Sequence, residues 1–176
     1  GSLDDYDYSL AAQAAGTEIP ETSVDVAGTG DQQQTRIDAL VVQTLGGQIE
    51  GKGRVAWAPT PSWALALTAE GIDPGRQLAG LDGTLSLKAE TKGDLDDGYD
   101  FDVKLDAALD AYPPAVLTVA GTGGADQARV EQLRIETLGG LVQGQGELAW
   151  SPTPTWQFDL SATDLDPGRH YPDLDG

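Results

Sequence analysis

Apolar and polar residues alternate along most of the chain, and this period of two predicts β-strands. In the segment 99–106 every odd position is apolar and every even position is charged. The segments 84–90 and 156–162 alternate in the same way. No window with apolar residues at i, i+3, i+4 and i+7 is convincing as an amphipathic helix, and residues 11–15 form the one segment compatible with a helical turn. The pattern therefore predicts an all-β protein.

Turn-forming residues separate the alternating segments at intervals of 8–12 residues, which is typical of an antiparallel meander. Asp-Pro-Gly occurs at 73–75 and 166–168, and Gly-Thr-Gly occurs at 28–30 and 121–123. Proline fixes φ in such turns and glycine accepts positive φ. We predict eleven strands, near residues 6–12, 22–29, 36–45, 48–57, 63–70, 84–91, 99–107, 115–122, 129–138, 141–150 and 156–163.

A unit of 93 residues occurs twice in the chain. When residues 1–83 are aligned with residues 94–176, 35 of the 83 pairs are identical, or 42%. Self-similarity at a fixed period is typical of architectures in which each unit buries its apolar face with help from its neighbours. We therefore divide the chain into units 3–93 and 94–176 and expect them to form one continuous sheet.

The two ends of the sequence suggest a piece of a longer array. Gly1 and Ser2 resemble a cloning remnant. Gly176 aligns with Gly83, and no segment equivalent to 84–93 follows it. We expect the function to be that of the array.

The composition excludes several classes of partner. The formal net charge is −19, and the few lysines and arginines are scattered, so the chain lacks the basic stripe that binds nucleic acid. Anionic membrane surfaces would repel it as well. Cysteine is absent, so neither disulfides nor thiolate metal sites form. No apolar run approaches the roughly 18 residues of a membrane-spanning helix.

An eleven-stranded sheet has an apolar face that needs a cover. At a spacing of about 4.8 Å, eleven strands make a sheet about 50 Å long. Strands about 25 Å long then give an apolar face of about 1,200 Å², whereas soluble monomers rarely expose more than about 300–600 Å². Three solutions follow: packing on a second sheet, closure into a barrel, or folding lengthwise around something apolar.

Glycines at inward-facing strand positions favour strong curvature. Gly51 and Gly53, and their repeat equivalents Gly144 and Gly146, fall on the apolar row of their strands. Such glycines either crease the sheet and leave a slot, or make room for a large neighbour such as Trp63. We predict that the apolar rows line a groove, with these lining residues: Leu65, Leu67, Leu85, Leu87, Tyr99, Phe101, Val103, Leu105, Leu117, Val119, Leu148, Trp150, Trp156, Phe158 and Leu160.

Catalytic and metal-binding motifs are weak. His170 is the single histidine, and its repeat equivalent is Gln77, so no Ser/His/Asp set can be assembled around it. Asp164, Asp166 and Gly168 resemble the start of a calcium loop but lack the acidic closing ligand, and turn chemistry explains them better. The same holds for the cluster Asp94, Asp96 and Asp97. We predict no enzyme, no cofactor and no metal.

Two tryptophan pairs flank the Pro-Thr-Pro segments at 59–61 and 152–154. Trp57 and Trp63 form one pair, and Trp150 and Trp156 form the other. Each pair is predicted to place one inward aromatic on each arm of a hairpin. Cross-strand aromatic packing is the favoured role, and a sugar-stacking platform is the alternative.

The segments 45–76 and 138–169 share a motif that resembles a known family. Both read Leu-Gly-Gly-x-x-x-Gly-x-Gly-x-x-x-Trp-x-Pro-x-Pro-x-Trp-x-x-x-Leu-x-Ala. In both, Leu or Ile followed by Asp-Pro-Gly-Arg comes next. Leu-Asp-Gly follows at 81–83 and 174–176. This pattern resembles the repeats of the TamB family, in the AsmA-like group of bridge-like lipid-transfer proteins. The motif consists of turn and strand residues, and no catalytic residue carries over.

The resemblance implies a fold, a location and partners. The implied fold is a repetitive, strongly curved antiparallel sheet folded lengthwise around an apolar groove, called a β-taco. The implied cargo is phospholipid, whose acyl chains lie in the groove. The implied location is the Gram-negative periplasm, where the protein bridges the inner and outer membranes. The implied protein partner is an Omp85-type outer-membrane barrel. The inner-membrane anchor and the partner-binding region are expected outside this chain.

A second hypothesis comes from another class of protein. Each 93-residue unit is close to the size of a β-sandwich domain. The chain could then be tandem β-sandwich repeats of an acidic bacterial surface adhesin or binding module, stiffened by calcium. Separate sandwiches have two independent dry cores, whereas a groove has one sheet and an open interior. The inward glycines favour the groove.

Overall fold

The computed structural model describes residues 4–16, 20–94 and 96–171, and it contains one antiparallel sheet of eleven strands in chain order. Gly1, Ser2 and the Leu-Asp-Gly at 174–176 lie outside the described residues. The strands are β1 (Tyr6–Ala14), β2 (Thr22–Gly30), β3 (Gln34–Thr44), β4 (Gly47–Ala56), β5 (Ser62–Ile72), β6 (Gly83–Asp94), β7 (Gly98–Leu109), β8 (Ala115–Gly123), β9 (Gln127–Thr137), β10 (Gly140–Ala149) and β11 (Thr155–Thr163).

The structure confirms the predicted fold class: all-β, with a single open antiparallel sheet of the curved β-taco type. Each predicted strand lies within three residues of its observed bounds. Residues 11–14 continue β1 and pair with β2, so the helical turn considered there is wrong. The alternative of two separate sandwiches is also wrong, because one sheet runs through both units. The boundary between the units at residues 93 and 94 stays a prediction.

Two 3₁₀-helical turns, Pro74–Arg76 and Pro167–Arg169, occupy the Asp-Pro-Gly segments predicted to turn. The carboxylate of Asp73 accepts a hydrogen bond from the backbone N–H of Gly75 at 3.0 Å and so caps the first of them. These turns reverse the chain without interrupting the sheet.

Four cross-strand rows run unbroken over all eleven strands on one side of the sheet. Directly paired residues share a side, and alternate residues share it along each strand. Row 1 is Tyr6, Gly30, Thr35, Val55, Trp63, Gly93, Tyr99, Gly123, Ala128, Leu148 and Trp156, and row 2 is Tyr8, Gly28, Ile37, Gly53, Leu65, Thr91, Phe101, Gly121, Val130, Gly146 and Phe158. Row 3 is Leu10, Val26, Leu40, Gly51, Leu67, Ala89, Val103, Val119, Leu133, Gly144 and Leu160, and row 4 is Ala12, Val24, Val42, Ile49, Ala69, Leu87, Leu105, Leu117, Ile135, Val142 and Ala162. We call this side the apolar face and the opposite side the polar face.

Irregularities in the pairing keep the apolar residues in phase. Ile37 and Leu40 are three residues apart, yet both lie on the apolar face because the pairing of β3 shifts between them. Val130 and Leu133 repeat this arrangement in β9. An extra residue in one strand is a β-bulge, and without it the remainder of the strand would turn its apolar row to solvent.

The Leu-Gly-Gly motif forms a tight hairpin turn in both units. Leu45 and Gly46 have φ values of 50° and 78°, and Leu138 and Gly139 have 52° and 75°. Two consecutive positive φ angles are typical of the two-residue turns that match the twist of paired strands. The motif therefore connects β3 to β4 and β9 to β10.

The sheet makes no second layer over the described residues. Each strand has its extensive contacts with its neighbours in sequence. In the described part of the chain, Ala69 and Val130 are the apolar residues that are buried, at 7% and 6% exposure. Most other residues of the apolar face are half-buried. The apolar face is thus open instead of forming a dry core.

Replacing Gly121 tests whether the close approach of neighbouring strands excludes a side chain at this position. A Cβ at this position would overlap the carbonyl oxygen of Arg129 and lie 2.9 Å from Cζ of Phe101. We expect Gly121→Ala to lower the free energy of unfolding by about 1–3 kcal/mol, because the obstacle is backbone that cannot rotate away. Urea unfolding followed by circular dichroism measures this change.

Gly124 is the matched control, since a Cβ there meets nothing within 4 Å. Gly124→Ala should leave stability unchanged or raise it by a few tenths of a kcal/mol. Equal losses in the two variants would show that backbone approach at Gly121 is not what excludes a side chain.

Candidate functional site

The structure places fourteen of the fifteen predicted lining residues on the apolar face. Thirteen belong to rows 1–4: Tyr99, Leu148 and Trp156 in row 1; Leu65, Phe101 and Phe158 in row 2; Leu67, Val103, Val119 and Leu160 in row 3; Leu87, Leu105 and Leu117 in row 4. Leu85 lies one step beyond row 4 and pairs with Ile72 and Ala107. These side chains make one continuous apolar surface.

Trp150 lies outside these rows, one residue after β10. Its indole Nε1–H donates to the carbonyl of Ala125 at 2.7 Å, and its backbone N–H donates to the carbonyl of Asp126 at 3.0 Å. Trp57 repeats the arrangement, and its Nε1–H donates to the carbonyl of Gln32 at 2.8 Å. Each of these tryptophans therefore ties the end of one strand to the preceding hairpin turn.

The aromatic packing differs from the predicted tryptophan pairs. Trp63 packs against Tyr99, with ring centroids 5.7 Å apart, and its Nε1–H donates to Oγ1 of Thr91 at 3.1 Å. Trp57 makes no described ring contact with Trp63. The partner of Trp63 comes from the following unit, a contact that spacing within one hairpin could not indicate.

The four inward glycines are opposed by large side chains of the next strand. A Cβ on Gly51 would lie 2.8 Å from Cδ2 of Leu67, and a Cβ on Gly144 would lie 2.5 Å from Cδ2 of Leu160. Gly53 faces Leu65 and Gly146 faces Phe158 in the same way. The glycines thus make room for neighbours, although Trp63 is not the neighbour concerned. Their role in curvature stays a prediction.

Exposure along the apolar face depends on the following strand. Trp156 on β11, the last strand described, is 76% exposed, whereas its repeat equivalent Trp63 is half-buried beneath residues of β6 and β7. Leu160 is 59% exposed, and its equivalent Leu67 is 39% exposed. The apolar side chains of each strand are therefore shielded from solvent by the strand that follows it.

A cavity of about 720 Å³ lies on the polar face. Its floor includes Ala64 and Ala66, and charged side chains such as Lys52, Arg54 and Glu90 surround it. Cations and carboxylates stand on different strands around an open trough, an arrangement typical of a solvated surface. It offers no paired acid and base aimed at one point.

The acidic clusters act as turn and ion-pair partners. The carboxylate of Asp94 accepts hydrogen bonds from the backbone N–H groups of Asp96 and Asp97, and Asp166 forms an ion pair with Arg169 at 3.5 Å. Within residues 4–16, 20–94 and 96–171, no three His, Cys, Asp or Glu side chains come together in a way that could hold a metal ion.

Two other features have structural roles. His170 contacts the ring of Tyr171 edge-on at 4.8 Å. The carboxylate of Asp31, in the β2–β3 turn, accepts hydrogen bonds from the backbone N–H of Gln33 and from Gln34, and these bonds lower its pKa. Among the described residues, none of the helices has the length and apolar character needed to cross a membrane.

A family model matches both halves of the chain. The family model described as TamB, N-terminal domain, matches residues 1–98 and also residues 90–176. No solved structure matches the chain. The matches agree with the resemblance seen in the Leu-Gly-Gly and Asp-Pro-Gly-Arg motifs.

Replacing Trp150 by phenylalanine tests the tie between strand end and turn. We expect Trp150→Phe to lower the free energy of unfolding by about 0.5–1.5 kcal/mol, because the carbonyl of Ala125 loses its donor. Trp156→Phe is the control, since Trp156 is largely exposed and has no described hydrogen bond, and should cost less than about 0.5 kcal/mol. Urea unfolding compares the two, and equal values would contradict an anchoring role for the Trp150 indole.

Proposed function

Because this chain belongs to the TamB family, we propose that its apolar face is a hydrophobic groove that holds phospholipid acyl chains. The family is generally involved in lipid transport in the Gram-negative envelope and is not a known enzyme family. In the proposed function this chain is a periplasmic segment through which phospholipid passes between the inner and outer membranes. This transport supports outer-membrane biogenesis.

The observation that carries the proposal is the unbroken, half-exposed apolar face. Rows 1–4 extend over all eleven strands without a charged residue. Exposed apolar surfaces of this extent mark sites of interaction with proteins, ligands or lipids. Acyl chains are held by apolar contact, which is non-directional, so a continuous surface can bind them at every point along its length.

The polar face suits a carrier that works in water between two membranes. The chain has a formal net charge of −19. Such a charge favours solubility and disfavours adsorption to anionic headgroups. Lipid would therefore contact the apolar face alone.

The protein partners are a further part of the proposal. An Omp85-type barrel would receive the protein at the outer membrane, and an inner-membrane anchor would hold the other end. Both contacts are proposed for parts of the full-length protein other than the described strands. The apolar face needs neither of them in order to bind lipid.

Site-specific photo-crosslinking in cells tests lipid contact directly. A photoreactive residue at Phe101 or Leu160 should capture labelled phospholipid, because both side chains lie on the apolar face. The same residue at Asp100 or Asp159 should capture little, because those positions lie on the polar face. Absence of capture at Phe101 and Leu160 in folded protein would contradict the proposal.

Charge placed on the apolar face should stop transport without unfolding the sheet. We expect Phe101→Arg or Leu87→Arg in the full-length protein to weaken the outer-membrane permeability barrier, because either guanidinium would interrupt the uncharged apolar face with a charge that is costly to remove from water. Asp100→Arg should be nearly silent, since it removes an exposed ion pair with Lys92 that contributes little. Detergent sensitivity measures the effect, and circular dichroism checks the fold.

A barrier that stays intact in folded Phe101→Arg and Leu87→Arg variants would contradict the proposal. A loss of the barrier in Asp100→Arg that equals theirs would show that the effect comes from charge on the protein as a whole. The two outcomes separate transport on the apolar face from general electrostatics.

A further inference from the structure

The apolar face is divided into an aromatic half and an aliphatic half. Every aromatic residue within the described strands lies in row 1 or row 2, and these are Tyr6, Tyr8, Trp63, Tyr99, Phe101, Trp156 and Phe158. Rows 3 and 4 contain only leucine, valine, isoleucine, alanine and two glycines. We call rows 1 and 2, together with Trp57 and Trp150 just beyond them, the aromatic margin.

Packing against glycine fixes the rings of the aromatic margin. Tyr99 lies across Gly123 and Phe101 lies across Gly121, where a Cβ would collide with either ring. Tyr6 and Tyr8 occupy the same positions against Gly30 and Gly28. The centroids of Tyr99 and Phe101 are 6.4 Å apart, so the rings form a contiguous surface.

Within rows 1–4, the side chains that can form hydrogen bonds belong to the aromatic half. Tyr8 donates to the carbonyl of Arg36 at 3.2 Å, and Thr35 donates to the Tyr8 hydroxyl at 3.2 Å. In the described strands, rows 3 and 4 hold no side chain that could donate or accept such a bond. Polarity therefore decreases from row 1 to row 4. One step beyond row 4, the hydroxyls of Thr22, Thr44 and Thr137 already bond to each other or to backbone carbonyls.

We propose that the apolar face binds phospholipid in one orientation, with the ester linkages and headgroup at the aromatic margin and the acyl chains over rows 3 and 4. This rests on the proposed lipid-binding function. Tryptophan and tyrosine concentrate at the level of the headgroups in membranes, because each combines an apolar ring with a polar tip. Aliphatic rows match the hydrocarbon interior. At about 6.7 Å between rows, the two halves together extend about 20 Å.

The opposite strand ends offer the competing place for a headgroup. Arg76 and Arg169 lie there, as do the exposed rings of Tyr112 and Tyr171, and the two guanidinium groups could attract a phosphate. Arg76 already forms an ion pair with Asp73 at 3.6 Å, and Arg169 forms one with Asp166 at 3.5 Å. Because each guanidinium has its own carboxylate, this end has little unneutralised positive charge to select the headgroup.

The four tryptophans report the orientation without any added label, because all of them lie at the aromatic margin. The 176-residue chain is loaded with phospholipid that carries a nitroxide either on the headgroup or near the end of an acyl chain, and is separated from vesicles. We expect the headgroup nitroxide to quench tryptophan fluorescence at least twofold more strongly than the acyl nitroxide.

A reporter on the aliphatic half provides the control. All four tryptophans are changed to phenylalanine and Leu87→Trp is added, with Leu105→Trp as the substitute if the first variant does not fold. Both positions lie in row 4, so the order of quenching should reverse. Equal or stronger quenching by the acyl nitroxide in the native chain overturns the orientation while leaving lipid binding in place. Absence of bound lipid on the folded native chain overturns the proposed function as well.

Discussion

Register is the constraint on which the rest of the structure depends. A strand that slips by one residue turns every side chain to the other face, so eleven strands can share an apolar face only if each pairs in phase with the next. The chain meets this requirement even where its own alternation fails. Between Ile37 and Leu40, and between Val130 and Leu133, the pairing shifts and the apolar row continues. These shifts in pairing are what keep the apolar face continuous.

The two units preserve what register and packing need and vary elsewhere. Tyr99 faces Gly123 as Tyr6 faces Gly30, and the positive φ angles of the two Leu-Gly turns agree within 3°. Residues on the polar face differ more between the two units. Lys52 and Arg54 of the first unit become Gln145 and Glu147 in the second, and these side chains point to solvent, where substitutions rarely cost much.

Alternation in the sequence was sufficient to predict the strands and to assign nearly all of the lining residues to one face. It could not give the exact position of the bulges, because a break in the alternation does not show at which residue the pairing with the neighbouring strand shifts. It could not show that Trp150 follows the end of β10 and donates to the carbonyl of Ala125, since alternation carries no information about an acceptor in another turn. It also left the inward glycines undecided between two interpretations, because only the paired strand shows that Leu65 and Leu67 fill the space above them.

The succession of strands in chain order has a mechanical consequence. Every strand is hydrogen-bonded to its neighbours in sequence, and in the described sheet the first and last strands lie at opposite edges without pairing to each other. Tension applied between the two ends would pass through every ladder in series, and the edge strands would separate first because each is paired on one side only. The sheet would then peel open one strand at a time, as a zip does, while the strands further in kept their pairing. A rod built this way yields gradually under stretching and re-forms by adding strands back to an intact template.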